Sequence, residues 1–120
     1  MVKNLKILVF GILITGCVKE KAAPPLSDVV CDEEISFQKD VQPIITLNCA
    51  NNECHDNFMY GSDILLRNYS EISTISGDDR FLGAIKHQPG YSAMPYGEQK
   101  MSAGEIQIIE CWINQGRKNN

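Results

Sequence analysis

The sequence predicts an all-α domain, four short helices joined by long loops, and three observations predict it. Ser102-Ala-Gly-Glu105 has the spacing of a capping box, and Ile106, Ile109, Trp112 and Ile113 follow it on one helical face. Phe37, Val41, Ile44, Ile45 and Leu47 keep helical spacing ahead of Cys49. No stretch alternates apolar and polar residues well enough to predict a strand.

Taken in chain order, the first helix can be capped by Ser36 or Asp40, and it tolerates Pro43 only in its first turn, where the missing N–H has no partner to lose. Asn68-Tyr-Ser-Glu71 reads as the cap of a second helix running through Ile72 and Ile75 to Gly77. Phe81, Leu82 and Ile85 predict a third that ends before Pro89-Gly90. The fourth begins after Ser102 and stops at Gly116. A chain of 120 residues, 43% apolar, holds one small domain with no fibrous or disordered bias and no internal repeat. A core of that size is marginal, so helices this short and loops this long point to a staple or a bound group.

Residues 1–16 read as an export signal: Lys3 and Lys6, then an apolar run from Ile7 to Ile14 interrupted by Gly11, then Thr15 and Gly16. Eight residues are far short of the ~20 that span a bilayer as a helix. Ile14-Thr15-Gly16-Cys17 resembles the lipobox of bacterial lipoproteins, which implies cleavage before Cys17 and acylation of that cysteine. Residues 17–30 hold Lys19, Lys21, Pro24 and Pro25 without apolar periodicity and read as a lipidated N-terminus and tether. Extended, its 13 residues after Cys17 reach about 40 Å. The folded domain is then 31–120. All 15 acidic side chains but only nine of the 11 basic ones follow residue 16, giving the mature chain a charge of −6. Nucleic acid is therefore not an expected partner.

Cys49-Ala-Asn-Asn-Glu-Cys54-His55 directly follows the first helix. Covalent haem attachment uses two cysteines and a following histidine, with a two-residue spacer in the usual signature. The chemistry needs two thiols at the vinyl groups along one porphyrin edge, with the next imidazole under the iron; a four-residue spacer can bulge outward and keep those anchor points. His55 would bind iron through one ring nitrogen while a backbone carbonyl holds the other N–H. Met94-Pro95 follows 39 residues after His55. Proline restricts Met94 to extended backbone, and a thioether opposite histidine favours reduced iron.

The order of helix, Cys-x₄-Cys-His, variable middle, Met-Pro and terminal helix with Trp112 resembles class I c-type cytochromes. Residues 35–116 are similar to the monohaem domains of small bacterial lipoproteins, especially over 35–44 and 109–113. The resemblance implies a small class I cytochrome c-like fold around one haem c. It also implies thioether bonds at Cys49 and Cys54, His55 as proximal ligand and Met94 as distal ligand. With both axial positions filled, it implies an electron carrier rather than an enzyme. The resemblance implies a setting in the bacterial cell envelope, outside the cytoplasm and anchored through lipid, with a redox partner protein; the mature charge of −6 suggests a basic docking surface on that partner. Once Cys17, Cys49 and Cys54 have these roles, Cys31 and Cys111 remain, and they form either one bridge or two free thiols. Such a bridge would close a loop worth ~4 kcal/mol in the chain-entropy model.

Other readings stand beside this one. Cys49 and Cys54 can form a local disulfide in a haem-free, disulfide-stapled binding or structural lipoprotein. Zinc could use Cys49, Cys54 and His55 with Cys31, Cys111 or His87, although exported thiols tend to be oxidised. His87 offers a bis-histidine alternative to Met94; Met59 and Met101 are less well placed, the first too close to the attachment site and the second beside the Ser102 cap. A displaceable sixth ligand would make a haem sensor or enzyme. Trp112 is read as a core or haem-packing aromatic without a redox role.

Overall fold

Why the chain turns where it does is clearest at Ser36. Its hydroxyl accepts the Lys39 N–H, and its own N–H donates to Asp40 Oδ2 at 2.8 Å. Both candidate caps are thus used, one answering the other. The computed structural model describes residues 30–51, 54–57 and 63–120. Phe37–Val41 forms a single π-helical turn, continued without a break by α1, Gln42–Asn48. The wide register is carried by the Val41 N–H to Ser36 O and the Gln42 N–H to Phe37 O. Pro43 lies at the start of α1 and has no N–H to return to the preceding turn, so the register changes where one bond is already missing.

The remaining helices are α2 (Tyr69–Ile75), α3 (Asp79–Ile85) and α4 (Ala103–Asn114). The described residues are thus all-α, with four α-helices and no strand. Asn68 caps α2 by accepting the Glu71 N–H, and Asp78 caps α3 by accepting the Arg80 N–H. At α4, Ser102 and Glu105 form the expected capping box, and Gly116 at φ +91° supplies the left-handed stop. None of these helices is long and apolar enough to cross a membrane. The signal peptide, Cys17 and most of the tether fall outside the described residues, as does Met59.

Phe37, Val41, Ile45 and Cys49 form one buried stripe at four-residue spacing; Leu66, Ile72, Phe81, Ile85, Met101, Ile106, Ile109 and Trp112 complete the core. Leu47, expected on the inner face, is 69% exposed. It lies two residues beyond Ile45, about 200° around an α-helix, and so faces away from the stripe. Trp112 is fully buried between Phe37 and Tyr69, with ring centroids at 5.5 and 6.4 Å, and its Nε1–H donates to Lys118 O. It is therefore a core aromatic.

The two ends of the described domain are laced together. Cys31 and Cys111 are disulfide-bonded, the first of the two arrangements open to them. Gln115 bridges the same junction, accepting the Ile35 N–H and donating to Glu33 O. The N–H groups of Phe37 and Gln38, left without partners at a helix start, donate to Asn120 Oδ1 and Asn120 O. Tyr69 OH donates to Arg117 O. One end of the chain thereby caps the helix at the other.

Candidate functional site

Cys49 ends α1, its N–H still donating to Ile45 O while its backbone leaves helical geometry. The chain then closes on itself. The Cys54 N–H donates to Asn51 O at 3.1 Å, and the His55 N–H reaches back to Cys49 O at 3.0 Å. The spacer is thus a loop strapped at its base, with Cys49 and His55 joined directly across it. Glu105 braces this end of α1 from α4 by accepting from Asn48 Nδ2 at 3.1 Å. The Ser102 hydroxyl and N–H, with Asn48, hold the Glu105 carboxyl below its ordinary pKa.

The His55 ring faces a backbone acceptor. Ile64 O lies 2.8 Å from Nδ1 and can only accept, so Nδ1 carries the proton and donates. The neutral ring then has its lone pair on Nε2, the tautomer a metal ligand of this type requires. The Leu66 N–H donates to His55 O at 2.9 Å, fixing the backbone as well as the ring.

Cys49 and Cys54 are thiols, not a disulfide. They differ sharply: Cys54 is exposed, whereas Cys49 is 8% exposed and its pKa is pushed up to about 11. Burial is the main cause, and the nearby Cys54 and Glu105 add to it by disfavouring a second negative charge. The zinc alternative loses two of its candidate donors, because Cys31 and Cys111 are consumed in their disulfide. Among the described residues no three His, Cys, Asp or Glu side chains gather as a metal-binding group.

Met94 is half-buried and belongs to an arch over α3. Its N–H donates to Ala84 O at 3.1 Å, and the same oxygen accepts the His87 N–H at 3.1 Å. His87 Nε2 donates to Met94 O at 3.0 Å, since a carbonyl cannot donate. The Met94-Pro95 peptide is cis. Inside the arch, the Tyr91 ring lies so close to Gly83 that a Cβ there would sit 2.6 Å from the ring. The base of the arch is fixed to α4 by a half-buried Lys86–Glu110 ion pair. Met101 is a core residue at 6% exposure, directly before the Ser102 cap of α4.

His55 and Met94 are thus each fixed by a separate local frame. Large apolar side chains are exposed near both in the sequence. Leu47 precedes the Cys49 loop, Ile64 supplies the carbonyl to His55, and Tyr91 and Tyr96 flank Met94; Val30 is the fifth exposed large apolar residue, at the start of the described chain. An open groove of about 670 Å³ on the outer side of α1, lined by Gln42, Pro43, Leu47 and Asp56 among others, includes neither His55 nor Met94. The sequence reading missed the pairing of Gly83 with Tyr91 and the bond from His87 to Met94. A glycine inside an apolar helical pattern was the available signal for the first. No protein-family model matches the chain, and neither a characterised protein nor a solved structure is significantly similar to it.

Proposed function

We propose that this chain is a membrane-anchored monohaem c-type cytochrome, an electron carrier with a class I cytochrome c-like fold. The carrying observation is the strapped Cys49–His55 loop, in which two unbonded thiols precede an imidazole whose Nδ1–H is already committed to Ile64 O. That donor set fits haem c: Cys49 and Cys54 would hold it through thioethers, and His55 Nε2 and Met94 Sδ would be the axial ligands. The exposed apolar side chains flanking both ligand segments fit an apolar macrocycle better than a hydrated metal ion.

A bound haem supplies a one-electron couple. The chain's own residues set its properties. The carbonyl of Ile64 holds the imidazole in one orientation and raises its basicity. As a ligand of a bound haem, the Met94 thioether would favour the reduced state. Export, acylation of Cys17 and a site in the bacterial cell envelope complete the proposal, and the Cys31–Cys111 disulfide suits an oxidising compartment. The mature charge of −6 favours a redox partner with a basic surface and disfavours nucleic acid.

The test is a redox titration of the full chain matured with haem-attachment machinery. A reversible one-electron transition is expected, and Met94→Ala should lower its midpoint and let added imidazole bind the iron. An unchanged midpoint in M94A would remove Met94 from the ligand set. A chain that takes up no haem would leave the disulfide-stapled, haem-free module as the better reading.

A further inference from the structure

We propose that His87 is the positioning residue for the Met94 thioether: it pins the methionine carbonyl and thereby holds the sulfur on the iron, a role that rests on the haem reading above. Met94 is gripped on both sides of its backbone, with the N–H on Ala84 O and the carbonyl on His87 Nε2. The first of these bonds belongs to the main chain and needs no particular residue at 84. The second is made by a side chain and exists only because position 87 carries an N–H donor of sufficient reach.

The backbone at position 87 argues that the side chain is what matters there. His87 follows directly on α3 with φ +52°, the left-handed region where a helix usually ends on glycine or asparagine. Glycine would adopt that conformation without a Cβ penalty. Helix termination alone therefore favours a residue other than histidine, and the histidine found there spans the seven-residue interval to Met94. Its anchor is rigid. Lys86, its neighbour, is paired with Glu110 of α4, and the Tyr91 ring fills the arch against Gly83. Movement of the Met94 carbonyl is thus resisted from α3, while the ligand's side chain projects from a backbone that cannot retreat without breaking the imidazole contact. His87, weighed by sequence as a rival ligand, is assigned the opposite relation to Met94: it supports that ligand.

Three variants of the haem-loaded full chain test this. His87→Gly relieves the left-handed backbone and removes the donor; His87→Ala removes the donor alone; His87→Gln restores an N–H donor of similar reach. The readouts are the far-red absorption of thioether bound to ferric iron, the affinity of the ferric protein for added imidazole, and thermal unfolding. Loss of one hydrogen bond corresponds to about tenfold tighter imidazole binding. H87G and H87A should show that gain with a weakened far-red absorption, H87Q should return most of the way to the parent, and H87G should unfold no earlier than H87A. Parental imidazole affinity in H87G, with the far-red absorption intact, would overturn the proposal alone. If the parent itself lacks that absorption, Met94 is not the ligand, and the assignment of His87 falls with it.

Discussion

The junction around α4 and the arch over α3 are held in opposite ways. At the junction, a disulfide, the Phe37–Trp112 ring contact, the Gln115 and Asn120 hydrogen bonds and the Lys118–Glu34 ion pair all join the same two chain segments, and Tyr69 of α2 packs against both rings. In the arch, Met94 depends on one main-chain bond, one imidazole and one ring set against a glycine. Redundancy makes the junction the place where the domain is stabilised, and any one of its contacts can be lost with others remaining. The arch has no such reserve, so small changes there should alter the geometry of one side chain while leaving the domain folded.

The largest expected effect is at the junction. Trp112→Ala removes the indole from a site with no solvent exposure and should cost about 3–5 kcal/mol in denaturant unfolding. A loss below about 1 kcal/mol would show that the aromatic trio is not the anchor. Cys31→Ser with Cys111→Ser should follow closely, lowering stability by up to about 4 kcal/mol through the freed 80-residue separation. On the haem reading, both variants of the haem-loaded chain should keep the spectral signature proposed for Met94 until the whole domain unfolds.

Gly83→Ala should strike the arch instead. Its Cβ meets the Tyr91 ring, and overpacking of this kind costs about 1–3 kcal/mol. In a Tyr91→Ala background the same change should become neutral or stabilising by up to about 1 kcal/mol, because alanine is the better helix former. Additive effects of the two substitutions would contradict the close approach. A smaller contrast separates the two thiols. In the haem-free chain near neutral pH, Cys54 should be alkylated about a hundredfold faster than Cys49, whose pKa near 11 keeps it protonated. Equal rates would show that Cys49 is not buried there.

The smallest effects are at the surface. Arg67 holds the Glu71 carboxyl down to about 2, and Arg80 does the same for Asp78. Both folded values lie below the unfolded ones, so the associated stability is full above about pH 4.5 and is lost as pH falls toward 2. Both pairs are exposed, and salt should flatten this part of the acid unfolding curve.

Much of this was legible because it is local. Ser36, Asn68 and Ser102 announce their helices by side-chain chemistry, and Gly116 ends the last by its backbone freedom. Asp78, which caps α3, escaped the sequence reading because it carries no glutamate three residues on to complete a box. The π-helical turn was not legible, because its first N–H groups are satisfied by Asn120, more than 80 positions away. The Cys-x₄-Cys-His string and Met94 stood out as donors, whereas the tautomer of His55 and the service of His87 depend on the carbonyls of Ile64 and Met94 meeting those rings in three dimensions.

The most direct test of the haem reading is the intact mass and peptide map of the matured chain after denaturation. One haem retained covalently, with Cys49 and Cys54 both converted to thioethers, is the predicted result. A colourless chain with those two cysteines bonded to each other would contradict it.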